Sequence, residues 1–304
     1  MLFEKYIKPI WILLRRTFEA YFEDDAPRLG AALAFYTVLS LPPALMLITA
    51  ILTNFLDAQT VQGQLNTQLH LVLGTRVANI LESVVSTASY RPKASLGYTI
   101  IGIISALLSA MGASVQLQSS FNIIWRVRVK AGAGHAILKF FRDRLLSMVF
   151  ILILGFFVVL GFVSSTVLGI VGEYLPLWIS ATWSQILYLG NFMVSYALFF
   201  IVFAAMFRYV PDIELRWNHV WPGALVTTAL FSIGRYLIGI YLGRIDIINA
   251  YGVAGSLVLF LLFVFYSLQI LFWGAEFTKI WYLYKGNSIK PRNYAVKVST
   301  VKEV

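Results

Sequence analysis

Two ionisable residues lie where the chain is most apolar. Arg235 falls inside an apolar segment from Val220 to Leu242, and Glu276 lies near the end of another from Val253 to Ile280. A charge at membrane depth costs at least about 2.5 to 3.5 kcal/mol on insertion scales, so it faces protein or a wet cavity rather than lipid. At about 1.5 Å per residue, Arg235 sits about 22 Å into its segment, and Glu276 about 35 Å down the other from the opposite end. The two are therefore too far apart in depth to pair. Arg235 is expected level with Ser40, Pro42 and Pro43 of an earlier segment, whose proline-freed carbonyls suit a guanidinium. It reads either as a structural clamp, as a side chain snorkelling outward, or as the attractor for a negatively charged group. Glu276 is neutralised by Arg28 or by Lys279, one helical turn away. Gln118 and Asn122 are four apart and share a face with Trp125. They line a vestibule, or they serve as interhelical glue worth about 0.6 kcal/mol per bond.

Catalytic signatures are missing from the sequence. His70, His135 and His219 are far apart, and none belongs to a metal-binding motif such as H-E-x-x-H. Cysteine is absent, which removes disulfides, thiolate metal sites and cysteine nucleophiles together. With no Walker A sequence and no G-x-S-x-G, the chain is expected to be neither an enzyme nor the holder of a cofactor or metal.

The elements that position these residues are membrane spans. With 59% hydrophobic and 12% charged residues and a mean hydropathy of +0.78, the 304-residue chain lies well outside the range of soluble domains. An all-α, polytopic fold is expected, with six transmembrane helices at about 29–55, 96–114, 145–171, 186–207, 220–242 and 253–280. Each is near the roughly 20 apolar residues needed to cross a hydrocarbon core. Residues 1–284 form a single membrane domain, and 285–304 a basic cytoplasmic tail. Pro42 and Pro43 are expected to kink or break the first span.

Two amphipathic stretches flank the spans. Phe3, Ile7, Ile10, Leu14, Phe18 and Tyr21 recur every three or four residues, as in a helix lying at the membrane interface. Val61, Leu65, Leu69, Leu73 and Val77 recur about every four within the longest loop, which is expected to fold as helix on the outer surface. The N-terminal segment carries five Lys and Arg residues and the loop after the second span six, against three, none and one in the alternate loops. By the positive-inside rule both termini face the cytoplasm. The net charge of +10 then belongs beside anionic lipid head groups, which are the expected partners, rather than on nucleic acid. Small-residue faces leave room for a homo-oligomer.

Taken in order, Phe35-Tyr36 with Ser40-Leu41, Leu117-Gln118 with Phe121-Asn122 and Trp125, Arg208-Tyr209-Val210-Pro211-Asp212, Pro222-Gly223-Ala224, Tyr251-Gly252 and Gly274-Ala275-Glu276-Phe277 resemble the YihY/BrkB family of bacterial inner-membrane proteins. Asp212 departs from the asparagine that the resemblance leads one to expect. The resemblance implies an inner-membrane protein linked to envelope lipid precursors. The family's ribonuclease label finds no clustered ligand set here. The leading expectation is a transporter or flippase-like protein for an anionic amphiphile, with Arg235, Ser40, Pro42, Pro43, Gln118, Asn122 and Glu276 lining its path. The alternative is a non-transporting adaptor of the cell envelope.

Overall fold

A computed structural model of the protein describes residues 8–53, 57–73, 78–79, 82, 111–130, 180–244 and 253–298. The described elements in order are α1 (Lys8–Glu23), α2 (Ala26–Leu52), α3 (Ala58–Leu73), α4 (111–124), β1 (Val127–Val129), α5 (Ser180–Tyr209), α6 (Trp217–Arg244), α7 (Val253–Tyr284) and β2 (Ala295–Lys297). The span expected at 145–171 and most of the one at 96–114 lie outside the described residues. Within α7, Leu257–Tyr284 is long and apolar enough to cross a membrane.

The α6–α7 pair is an antiparallel interlock of glycine and threonine. A Cβ on Gly223 would overlap the Thr278 hydroxyl, and a Cβ on Gly274 would overlap that of Thr227. Each glycine of one helix thus receives the threonine of the other, which lets the two backbones approach closely. The hydroxyls of Thr227 and Thr278 donate to the carbonyls of Gly223 and Gly274 on their own helices, both at 2.7 Å, so no polar group is stranded in the contact. The register continues along the pair, where Gly234 makes room for Tyr266 and Ile270.

Around this pair the helices converge on an aromatic core. Phe121 of α4 meets Phe207 of α5 and Phe272 of α7 with ring centroids 6.0 and 6.1 Å apart. Phe231 of α6 packs against Phe199 and Phe203 of α5. Helix α1 buries Leu13, Thr17, Ala20 and Tyr21, and the Tyr21 hydroxyl donates to Gln269 of α7. Its burial pushes the Tyr21 phenol up to about 12. Trp11, Phe18 and Phe22 on the other side of α1 stay exposed. In α3, Val61, Leu65 and Leu69 are buried, and the last two pack with Leu259, Phe260 and Phe263.

One expectation is corrected. Helix α2 runs unbroken through Pro42 and Pro43 to Leu52, so the prolines do not end it. Its start does follow the local chemistry: Asp25 takes a left-handed φ of 56° and its carbonyl accepts the amides of Arg28 and Leu29, while Pro27 occupies the first turn. The basic stretch after α7 carries structure of its own over residues 285–298. It folds back as a strap, with β2 pairing antiparallel to β1 and Pro291 bridging to Ile213.

The interlock leaves no space for a methyl group. Gly274→Ala is expected to destabilise the folded chain by about 1–3 kcal/mol, and adding Thr227→Ala should return part of that loss. Thermal unfolding in detergent checks both.

Candidate functional site

Many of the described ionisable groups gather at the end of the bundle that carries the strap, which is also its basic end. The turn between α1 and α2 delivers Asp24, the last turns of α7 deliver Glu276 and Lys279, and the end of α4 delivers the Ile124 carbonyl and Arg126. Lys279 Nζ donates to Asp24 Oδ2 at 2.6 Å and to the Ile124 carbonyl at 2.8 Å. It also lies 2.7 Å from Glu276 Oε2. That last contact is off-axis, for neither Glu276 oxygen accepts a hydrogen bond from the described residues. The pair is held by charge rather than by a directed bond.

Burial makes this cluster matter. Glu276 is 0% exposed, and the Lys279 and Asp24 side chains are 6% and 9% exposed. Removing a partner from such a set strands a charge away from water. The Ile124 carbonyl adds the negative end of the α4 dipole to the two carboxylates around the one ammonium. Arg126, at a left-handed φ of 52°, reaches Asp24 at 3.2 Å and Glu23 at 3.3 Å from the more exposed side. Asp25 and Arg126 are the non-glycine residues with left-handed backbone among those described, and both flank this cluster. Arg28, the other candidate neutraliser of Glu276, instead pairs with Asp25 at 3.1 Å.

Gln118 and Asn122 converge on a second carboxylate. Asp212 is fully buried between α5 and α6. It accepts from Asn122 Nδ2 at 2.7 Å, from Gln118 Nε2 at 3.2 Å and from the Tyr294 hydroxyl at 3.0 Å, while its own amide donates to Asn122 Oδ1 at 2.9 Å. The Arg292 amide donates to the Asp212 carbonyl at 3.0 Å. This hub therefore ties α4 and the strap to the α5–α6 turn. The two sequence-selected amides face protein here, in bonds of the interhelical kind.

The remaining sequence-selected residues sit elsewhere. Arg235 lies partly buried on α6, about 18 Å beyond Gly223 and so well away from the basic end. Ser40 is buried on α2 and donates to the Thr37 carbonyl at 3.2 Å. Pro42 and Pro43 belong to the helical backbone of α2, but their side chains lie outside the described set. The structure thus groups Gln118, Asn122 and Glu276 at one end and leaves Arg235 apart. Sequence reasoning passed over Asp24, Asp212 and Tyr294. The departure at Asp212 from the expected asparagine was the one signal pointing at the hub. No group of three or more His, Asp or Glu able to hold a metal occurs among the described residues.

Two outcomes follow from these partners. Lys279→Met is expected to cost about 3–5 kcal/mol by stranding buried carboxylate, and the double variant Glu276→Met with Lys279→Met should cost less; denaturant unfolding in detergent checks the order. Asp212→Ala should release the strap, seen as faster hydrogen exchange at the amides of Arg292 and Ala295, with Asp212→Asn intermediate.

The chain was compared with known proteins. The family model described as virulence factor BrkB matches residues 17–295, from α1 to β2. A UPF0761 membrane protein of Albidiferax ferrireducens is 26% identical over 268 residues, 87% of this chain and 61% of the relative. UPF0761 membrane protein RSc1559 of Ralstonia nicotianae is 27% identical over 256 residues, 83% of this chain and 55% of the relative. The chain therefore spans less than two thirds of the length of these curated relatives. No solved structure matches it. With the family match running through every element of the basic-end site, the chain belongs to the YihY/BrkB family of membrane proteins.

Proposed function

We propose that this membrane protein moves or binds an anionic amphiphile, such as a lipid or lipid-linked envelope precursor, in a transporter or flippase-like role. One observation supports this most. Arg235 is a permanent cation on α6, and its neighbours Ile233, Tyr236 and Leu237 are all more than half exposed among the described residues. A guanidinium beside apolar and tyrosine surface suits a molecule with a negative head and a greasy tail. On this reading the protein sits in the bacterial inner membrane with both termini cytoplasmic, the basic end lies beside anionic lipid, and the chain is not an enzyme. Since α2 is unbroken, no gate at Pro42 and Pro43 is invoked. The tight glycine–threonine contact makes α6 and α7 one rigid unit past which a substrate moves.

An adaptor role draws its support from the strap. Lys285, Lys290 and Lys297 stay exposed on a segment that the Asp212 hub holds in a fixed shape. Such a surface suits an acidic partner. Reversing these three charges would abolish the function of an adaptor and spare that of a transporter.

The test is lipid movement by the purified chain in liposomes, using fluorescent phosphatidylglycerol with phosphatidylcholine as control. Faster exchange of the anionic lipid, cut about tenfold by Arg235→Ala and less by Arg235→Lys, is the expected outcome. Neither binding nor movement of anionic lipid, or an Arg235→Ala rate equal to the parent's, would contradict the proposal.

A further inference from the structure

Immediately around Lys279 the charges do not balance. Glu276 is buried and the Asp24 side chain is 9% exposed, both lie within 2.7 Å of one Lys279 nitrogen, and that nitrogen also holds the Ile124 carbonyl. Two carboxylates and one ammonium leave a surplus negative charge in a place with little access to water, the situation in which like charges exclude each other from ionising together. The partition between the two acids can be read from geometry. Asp24 accepts a directed bond from Lys279 and a second from Arg126, so its ionised form is doubly supported. Glu276 has no exposed surface and accepts no directed bond at either oxygen from the described residues.

The groups around Glu276 confirm the asymmetry. From α7 itself comes Lys279, shared with Asp24. The α1–α2 turn brings Asp24, with Glu23 and Asp25 directed to Arg126 and Arg28 respectively. The end of α4 contributes the Ile124 carbonyl and Arg126, whose guanidinium stops at Asp24 and Glu23. From α6 come Gly223 and Thr227, packed on Thr278 and Gly274 either side of Glu276, uncharged and with the Thr227 hydroxyl spent on its own helix, while His219 lies against Tyr282 further along. No cation is held by Glu276 alone among these.

We infer that the Asp24–Glu276–Lys279 triad is a proton-binding site, in which Glu276 takes up and releases one proton while Asp24 and Lys279 remain an ion pair. Protonation makes the triad neutral overall. Release leaves Glu276 competing with Asp24 for the same ammonium, which loosens the contact joining α7 to the α1–α2 turn and to α4. A metal ion is disfavoured as the occupant because the ammonium already stands where both carboxylates converge. The site goes beyond the lipid reading and does not depend on it: a failed lipid assay leaves the proton site standing, and a failed titration leaves lipid movement to its own test.

Infrared difference spectroscopy on the full chain in phosphatidylcholine vesicles supplies the test, with pH stepped from about 5 to about 9. One buried carboxylic-acid band is expected to vanish as pH rises, and Glu276→Gln should remove it. Asp24→Asn frees Lys279 for Glu276, so the same band should ionise at lower pH, with proton affinity down about tenfold. This second variant keeps the test alive where Glu276→Gln does not fold. The inference is overturned if no acid band is lost in Glu276→Gln, or if Asp24→Asn leaves the transition where it was.

Discussion

A single buried ammonium gathers the basic end of this protein. Lys279 touches the turn between α1 and α2 through Asp24, the end of α4 through the Ile124 carbonyl, and its own helix through Glu276. These three segments are far apart in sequence, and they also meet in the apolar core through Ala26, Ile124, Trp125, Ala275 and Tyr282. Desolvating so many charges is costly, and the arrangement survives because each removal would leave something worse, an unpaired carboxylate or carbonyl away from water. The contact therefore specifies an arrangement more than it adds net stability. The left-handed residues Asp25 and Arg126 each follow directly on a partner of Lys279 or lie within two residues of one, while β1 is held by its pairing with β2.

A second carboxylate does the complementary work. Asp212 accepts from Gln118, Asn122 and Tyr294 and so fixes the strap against the helices. The two hubs share α4, whose side face serves Asp212 and whose C-terminus serves Lys279. Movement of α4 along its axis would disturb both. The glycine–threonine contact between α6 and α7 starts at the same level, with Gly274 and Thr278 on either side of Glu276, and its register continues deeper at Gly234 without any charge.

Much of this was legible in the residues, and the reasons for the exceptions are physical. Family membership could be read because ordered short motifs spread over the chain carry it. The long apolar segments announced their helices because periodicity and length survive any tertiary arrangement. Pro42 and Pro43 misled because a proline removes one amide and crowds one carbonyl, and packing in a long apolar helix can carry both costs. The site was harder. Glu276 stood out by its depth and its pairing with Lys279 by helical spacing, but Asp24 sits in a polar turn where a carboxylate usually means no more than a helix start. Asp212 looked like a departure from a motif, and its role as acceptor for residues about ninety positions away has no local signature. The strap looked like a basic tail because a three-residue strand pair leaves too short a pattern to read.

The basic end is organised by Lys279 being shared by two acids at once. Solid-state NMR of the chain in lipid, with the lysine side-chain nitrogen and the Asp and Glu carboxyl carbons labelled, measures that directly. Dipolar contacts from Lys279 Nζ to the carboxyl carbons of both Asp24 and Glu276, with the nitrogen in its charged form, are the predicted result. A nitrogen in contact with only one of the two, or facing solvent, would contradict it.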